Sequence, residues 1–440
     1  MLFEREDKPG VLQTVFSVLC LTIVLFLLYY AKGEISTPQT IESLANLKSI
    51  QELGQSRVYH DLVPSLMMNF FRKLPFFSIL SAYQLALASI FSLFLHSILL
   101  LFYRKKWKMY HFFIVYFSAF LPYSFYIPFY FYGELYCITF IFLLIYVFNF
   151  DEIRDLVNII IFTLLSLFSD LGVFLVYYLV FVFLSTFQKM QEKKSKTTVF
   201  FKKKNIPFRI LIGYLGLFLV AIAFISIFDF FGPNSVNILA IKIYHVSLPV
   251  VFIVLIQFVL QLLIRLEEGA PEYVGALCIL IASLGLGYYT YKLPQGENLD
   301  SIKKIESEVV SLKKDGKISP EAIFYGRRSL SDPLYYRAEI SVNYDSKDLK
   351  KTDFLILENL NGSQRQYLDR KNIPPAVFIS YHFINSSTLL ISKDLMDRVL
   401  SDSDESDLRK SIKLQLQLLT PGEILPVDKF NRFLNQIFGF

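Results

Sequence analysis

Chemistry in the first 291 residues depends on a few charged and polar side chains set in a strongly apolar sequence. A carboxylate can take a proton from an attacking hydroxyl group, and a lysine or arginine can hold a phosphate. Acids and bases that meet in space could therefore build a site for group transfer. The side chains predicted to lie at one common end of the apolar segments are Glu34, Arg57, His60, Asp61, Glu134, Asp170, Lys242 and His245.

The usual signatures of nucleotide hydrolases, metalloenzymes and serine hydrolases are not found in the sequence. It contains no Walker A loop, no GxGxxG after a strand, no HExxH, no CxxC pair and no GxSxG. The five histidines are not spaced three or four residues apart, and Cys20, Cys137 and Cys278 each lie inside an apolar run. The sequence therefore predicts neither ATP hydrolysis nor a zinc site nor a disulfide framework.

The composition is that of a membrane protein. Hydrophobic residues make up 54% of the 440 residues, whereas soluble domains average about 45–50% apolar residues. Charged residues are sparse up to Tyr291 and frequent after it. We therefore expect a polytopic α-helical membrane protein of about nine transmembrane helices at residues 1–292, followed by a small extracytoplasmic α/β domain at residues 293–440. The net charge of +6 reflects cytoplasmic lysines and gives no evidence for nucleic-acid binding.

Apolar runs long enough to cross a ~30 Å hydrocarbon core define the expected spans. The first run is interpreted as a membrane anchor and not as a cleaved signal peptide. RKKWK at Arg104–Lys108 and the lysines after Phe187 place those loops, and with them the N-terminus, in the cytoplasm. The expected spans are residues 11–31, 76–103, 110–126, 132–150, two within 156–187, 208–228, 246–264 and 273–291.

The segment at residues 156–187 is too long for one ordinary span and carries Ser169, Asp170 and Gly172 near its middle. Both of its flanking loops are predicted to be cytoplasmic, so it should cross the membrane an even number of times. We interpret it as two short helices with Asp170 at the outer turn. The alternative is a single long tilted helix, with the third and fourth spans merged into one.

The outer loop at residues 32–75 contains an amphipathic pattern from Ile41 to Leu53, which predicts a helix on the membrane surface. The C-terminal domain should contain helices and short strands. Expected helices are residues 299–312, 393–400, 407–419 and 427–438, and expected strands are residues 322–325, 335–344, 353–357, 376–383 and 388–391.

Six stretches of the sequence, taken in chain order, form a recognisable series. The first four are AKGEIS after the first span, RVYHDLVPSLMMNFF before the second, LPYSFYIPFYFYGELYCITFIFLLIYVF across the third and fourth, and DEIRDLVNIIIFTLLSLFSDLGVFLVYYLVFVFL. KKTDFLILENL and TLLISKD follow in the C-terminal domain. This order resembles the GT-C superfamily of polytopic glycosyltransferases, which includes the dolichol- and polyprenyl-phosphate-dependent mannosyl- and arabinosyltransferases.

The resemblance implies transfer of a sugar from a lipid-linked phosphate to an acceptor hydroxyl on the extracytoplasmic face. By position, Glu34 matches the family's acid after the first span and is the candidate base. Glu134 matches the second acid, which holds a metal or orients the acceptor. Arg57 and Lys242 are candidate phosphate partners by location, and His60 and Asp61 join them as candidate substrate-binding residues. A divalent metal such as Mg²⁺ or Mn²⁺ is the other way to neutralise the leaving phosphate.

Asp170, also a candidate substrate-binding residue, departs from the family pattern. The family usually places lysine or arginine there, facing the donor phosphate, whereas an aspartate would repel the phosphate unless a metal intervened. Glu134 could instead cap its helix, Asp170 could be only a turn residue, and His60 and Asp61 could pair without chemistry.

The alternative function is that of a non-catalytic GT-C-like subunit, or an unrelated polytopic scaffold, with protein partners in a membrane complex. A secondary transporter is a weaker alternative, because no inverted internal repeat is visible. In each case the chain is expected to contact membrane lipids, in a bacterial inner membrane or an ER-type membrane.

Overall fold

The structure is a computed structural model with a mostly helical fold and one small sheet. The chain divides into two compact units, Met1–Ile35 with Val58–Pro294, and Ser36–Arg57 with Gln295–Phe440. The residues that it describes are 11–34, 37–53, 62–75, 77–102, 109–121, 127–147, 153–194, 213–214, 216–221, 223, 235–266, 277, 300–326, 328–343, 346–358, 379–385, 387–401 and 407–419.

The first unit is a bundle of helices. In chain order its helices are α1 (Val11–Lys32), then, beyond the loop, α3 (Leu62–Arg72), α4 (Ile79–Phe102), α5 (Met109–Phe120), α6 (Tyr132–Val147), α7 (Ile153–Leu167), α8 (Leu171–Lys194) and α9 (Ser235–Leu266). Helix α2 (Pro38–Leu53) belongs to the second unit. Within the described residues, two helices are long and apolar enough to cross a membrane, Leu12–Lys32 and Ile79–Leu101.

Helices α1 and α4 pack antiparallel, and side-chain hydrogen bonds join them along their length. The Ser17 hydroxyl lies 2.7 Å from Nε2 of His96, and the Ser92 hydroxyl donates to the Val18 carbonyl at 2.9 Å. At the opposite end of the pair, the Gln84 amide donates to backbone carbonyls at the end of α1. Because apolar side chains cannot satisfy polar groups in an apolar interior, these bonds fix the register of the two helices.

The long apolar segment after residue 153 folds as two helices, as the sequence predicts, and two membrane crossings by these helices stay a prediction. Helix α7 ends at Leu167, and the turn at residues 168–170 leads directly into α8. Ser169 is buried, and its hydroxyl donates back to the Leu165 carbonyl at 2.6 Å. Asp170 therefore lies at the turn, as the sequence predicts.

Other expected spans are only partly described. Helix α5 ends at Phe120, which leaves it shorter than the predicted third span, and a helical turn at residues 127–130 precedes α6. Helix α9 contains the predicted eighth span but begins eleven residues earlier and includes Pro249. The expected ninth span lies outside the described residues apart from residue 277, and only parts of the seventh are described.

The second unit is built around a five-stranded sheet with the order β2-β1-β3-β5-β4. Strand β1 is parallel to β2 and to β3, whereas β5 is antiparallel to β3 and to β4. The strands are β1 (Phe324–Tyr325), β2 (Val342–Asn343), β3 (Phe354–Leu357), β4 (Tyr381–Phe383) and β5 (Leu389–Ser392). The helices are α10 (Asp300–Lys314), α11 (Arg328–Ala338), α12 (Lys393–Ser401) and α13 (Asp407–Leu419), with a 3₁₀ helix at Ser346–Lys351.

The sheet is covered on both faces, because alternate residues of a strand point to opposite sides. Phe354 and Ile356 pack with side chains of α10 and α11 in one core. Leu355 and Leu357 pack with side chains of α12 and α13 in the other. The unit is therefore a three-layer α/β structure.

Helix α2 is found where the sequence predicts a helix, but its surroundings differ from the predicted membrane surface. It packs against α11, and its polar side chains are buried together with its apolar ones. Lys48, which is 8% exposed, contacts the end of α11, where its ammonium lies 3.4 and 3.3 Å from the Tyr335 and Tyr336 carbonyls and 3.4 Å from Glu339 Oε1. The folded second unit therefore includes a segment from the loop after α1.

The predicted strand at residues 335–344 is wrong for most of its length. Residues 328–338 form α11, and among the described residues of that range Val342 and Asn343 are extended in β2. Tyrosines favour strands weakly, and packing overrides such preferences. Here the last carbonyls of the helix, which lack partners within it, are capped by Lys48 from a distant part of the chain.

Replacing Lys48 with methionine should loosen the second unit. Lys48→Met keeps the aliphatic volume but removes the charged donor from the Tyr335 and Tyr336 carbonyls, and a hydrogen bond to a charged group contributes about 1.5–3 kcal/mol. Hydrogen exchange of the full-length protein in lipid nanodiscs should show faster exchange in α2 and α11. Lys317→Met removes an exposed pair with Asp315 and serves as the control, with an expected effect below about 1 kcal/mol. Equal protection in the two variants would contradict the role of Lys48.

Candidate functional site

Three of the predicted site residues come together at one end of the first unit. Glu134 lies in the first turn of α6, Asp170 immediately precedes α8, and Lys242 lies in the second turn of α9. The Lys242 ammonium is 2.6 Å from Glu134 Oε1 and 3.1 Å from Asp170 Oδ2. These three residues are called the Lys242 cluster below.

Local sequence explains how each acid is held. Asp170 caps α8, because its Oδ1 accepts the Val173 N–H at 2.8 Å while its other oxygen contacts Lys242. Glu134 follows Gly133 in the first turn of α6, where the helix dipole favours a negative charge. The start of a helix therefore positions each acid independently of its contact with Lys242.

The cluster is mostly withdrawn from solvent. The side chains of Glu134 and Asp170 are 9% and 12% exposed, whereas that of Lys242 is 33% exposed. With all three groups ionised, two carboxylates at −1 and one ammonium at +1 leave a net charge of −1. An ammonium has three N–H donors, and within the described part of the chain two of these meet Glu134 and Asp170. The third can serve a ligand that approaches from the exposed side of Lys242.

Polar contacts that could not be predicted from the sequence join neighbouring parts of the same bundle. The Ser166 hydroxyl of α7 donates to the Cys137 carbonyl of α6 at 3.0 Å. The hydroxyls of Tyr177 in α8 and Ser247 in α9 are 2.5 Å apart, and the Tyr214 hydroxyl donates to the Tyr177 carbonyl. In the sequence, each of these residues is visible only as a polar residue inside an apolar run. Such a residue does not reveal which partner it will bond.

An aromatic contact lies beside the cluster. The ring of His245 stacks on that of Phe131 with centroids 4.9 Å apart. His245 is one turn after Lys242 in α9, and Phe131 is three residues before Glu134. The contact therefore ties the start of α6 to α9 at the level of the cluster.

Glu34 lies at the same end of the bundle. Tyr29, five residues earlier in α1, packs edge-on against Phe129 in the helical turn before α6, with ring centroids 4.8 Å apart. Glu34 follows Gly33 just beyond the end of α1 and is half-buried. Arg57, His60 and Asp61, the other predicted site residues, lie outside the described residues.

The chemistry of the cluster bears on the expected metal. Among the residues that the structure describes, no group of three or more His, Cys, Asp or Glu side chains is placed to hold a metal ion. Between Glu134 and Asp170, the ammonium of Lys242 occupies the position that a cation would take. A divalent ion could bind both of these acids only after Lys242 had moved away.

Comparisons with known proteins add no family to this geometry. No protein-family model matches the chain, and a search of curated proteins returns no match.

Removing the central cation should destabilise the first unit more than neutralising the whole cluster. Lys242→Met leaves two carboxylates facing each other, and breaking a buried pair in this way costs about 3–5 kcal/mol, with the lower end expected because Lys242 is partly exposed. The triple variant Glu134→Gln/Asp170→Asn/Lys242→Met carries no charge and keeps a capping side chain at position 170.

Thermal unfolding in lipid nanodiscs would give the melting temperatures of the unmodified protein and of both variants. The melting temperature should fall for Lys242→Met and recover in large part for the triple variant. A triple variant that melts as low as the single one would show that the charges do not determine the loss.

Proposed function

We propose that this chain is a polytopic membrane glycosyltransferase of the GT-C type. It moves a sugar from a lipid-linked phosphate donor to an acceptor hydroxyl on the extracytoplasmic face. The observation that carries the proposal is the convergence of Glu134, Asp170 and Lys242, from three helices far apart in sequence, at one end of an apolar bundle.

Exposed apolar side chains support the membrane setting. In addition to the two long helices, several shorter ones present large hydrophobic residues on their surfaces. A soluble protein rarely exposes large contiguous apolar patches, so lipid is the natural cover for these faces. Examples are Leu12, Phe16, Leu19, Ile23, Leu27, Val157, Ile160, Ile161, Leu164, Leu175, Leu179 and Phe183.

The second unit is formed by two segments that are distant in sequence, and this supports the proposed topology. Helix α2 and the C-terminal segment fold together, so both must lie on the same side of the membrane. The chain between them must then cross an even number of times, which agrees with eight spans after the first. With the lysine-rich loops in the cytoplasm, the N-terminus is cytoplasmic and the second unit extracytoplasmic.

The cluster offers a role for each of its residues. The third N–H of Lys242 binds an oxygen of the donor phosphate, while the two acids keep the ammonium in place. Glu134 orients Lys242 and the acceptor, and Asp170 anchors Lys242 to the start of α8. The family usually has a lysine or arginine at the position of Asp170. In this chain Asp170 instead holds Lys242, which supplies the positive charge.

The transfer itself needs a base and further positive charge. The acceptor oxygen attacks the anomeric carbon, the bond from that carbon to the phosphate oxygen breaks, and the acceptor proton passes to the carboxylate of Glu34. Because the cluster has a net charge of −1, it cannot neutralise the leaving phosphate alone. The remaining charge must come from outside the cluster, for example from a divalent cation such as Mg²⁺ or Mn²⁺.

A non-catalytic scaffold is the second candidate, and a specific observation favours it. Lys242 contacts both acids at once, which makes the cluster a junction between α6, α8 and α9. Such a junction would hold the bundle together without binding substrate. In that case the exposed surfaces of the chain would bind protein partners in a membrane complex.

Assay of the purified protein in nanodiscs with polyprenyl-phosphate sugars distinguishes the two candidates. Glu34→Gln should lower turnover by about 10²–10⁴-fold, the range for loss of a general base. Glu134→Gln should lower it by roughly 10–100-fold through misplacement of reacting groups. Asp315→Asn, an exposed acid of the second unit, is the control and should leave turnover unchanged.

The outcomes lead to separate conclusions. Turnover that is unaffected by both Glu34→Gln and Glu134→Gln would remove these residues from the site. No turnover by the unmodified protein with any donor would overturn the enzymatic proposal and leave the scaffold.

A further inference from the structure

The end of α1 is held by a side chain from another helix. Gln84 of α4 is 2% exposed, and its amide nitrogen donates to the Tyr29 carbonyl at 2.9 Å and the Gly33 carbonyl at 2.8 Å. The last carbonyls of a helix have no partner within it. The two hydrogens of one amide group therefore satisfy two acceptors at the point where α1 ends.

The backbone conformation of Gly33 determines the position of Glu34, the next residue. Gly33 has φ of +73°, in the left-handed region that favours glycine, and its N–H donates to the Tyr30 carbonyl at 3.1 Å. A Cβ at Gly33 would meet no atom within 4 Å, so the conformation and not the space requires glycine. The peptide that joins Gly33 to Glu34 is thus fixed on one side by the turn and on its carbonyl by Gln84.

We propose that Gln84 is a positioning residue for Glu34. The inference rests on the proposed function, in which Glu34 takes the acceptor proton. The Gly33 carbonyl belongs to the same peptide plane as the Glu34 nitrogen. A donor that holds this carbonyl therefore fixes the direction in which the chain leaves α1 and carries the Glu34 carboxylate to the acceptor.

The expected effect is on the rate of the chemical step. Reacting groups must be held to within a fraction of an ångström, and a displacement of about 1 Å can cost roughly 100-fold in rate. Gln84→Met matches the shape of glutamine and lacks both donors. It should lower kcat by at least tenfold and leave the KM for the lipid-linked donor within about twofold, because Gln84 itself touches no substrate.

Ser92→Ala is a matched control. Ser92 also lies on α4 and donates to a carbonyl of α1, that of Val18, at 2.9 Å, but at a distance from Glu34 along the helix. Its loss removes the same kind of bond between the same two helices. Ser92→Ala should leave kcat within about twofold, and an equal fall in kcat for the two variants would overturn the positioning role.

A double-mutant cycle tests whether Gln84 acts through Glu34. In a Glu34→Gln background, Gln84→Met should add less than twofold to the loss, because the group that it positions is already absent. Independent, multiplied losses would show that Gln84 supports the bundle generally, and that result would also overturn the proposal.

A readout without activity separates this proposal from the proposed function. A spin label at position 34, introduced as Glu34→Cys after replacement of the native cysteines, should become more mobile in Gln84→Met and stay unchanged in Ser92→Ala. If the unmodified protein shows no turnover but the label behaves in this way, the enzymatic proposal fails and the control of position 34 by Gln84 stands. An unchanged label in Gln84→Met would overturn the inference whatever the activity.

Discussion

The ion pairs of Lys242 with Glu134 and Asp170 are the interaction on which the arrangement of the first unit depends. Two acids at the starts of α6 and α8 lie where the medium screens charge poorly, and the ammonium of Lys242 offsets their repulsion. Lys242 comes from α9, 72 residues after Asp170. A single side chain thus contacts acids at the starts of two other helices, at the end of the bundle where Glu34 also lies.

The second unit imposes a different constraint, through the path of the chain. Its sheet and helices come from the C-terminal segment, but α2 comes from the loop directly after α1. The buried ammonium of Lys48 joins the two parts by capping α11. Only a few residues separate the end of α1 from α2, which belongs to the second unit. Glu34, the candidate base, is one of these residues.

The sequence predicts local features well where a break in pattern has one physical cause. Ser169-Asp170-Leu171-Gly172 interrupts an apolar run too long for one span, and the structure has a helix-capping turn there. Glu134 was expected at the start of a helix, where it is found. The partner of Asp170 could not be predicted, because Lys242 lies on another helix and nothing in the sequence around Asp170 indicates a nearby lysine.

Long-range contacts explain the other differences. The predicted strand at residues 335–344 is helical up to Ala338, because Lys48 and α2 cover a helix that local preferences do not favour. Similarly, the alternation in α2 of polar and apolar residues suggested a membrane surface, but both kinds are buried in the second unit. Neither outcome is encoded in the segment itself, since each depends on residues almost three hundred positions away.

The energetics of the cluster bear on whether it is only a junction. Burying two carboxylates and an ammonium carries a desolvation cost that their attraction barely offsets, and apolar side chains of similar shape often stabilise a protein as well or better. A purely structural junction between α6, α8 and α9 would therefore gain little from charge, and the neighbouring Tyr177–Ser247 bond already joins α8 to α9. The cluster therefore carries more charge than packing alone needs, and the proposed function uses this charge by having the third N–H of Lys242 bind the donor phosphate.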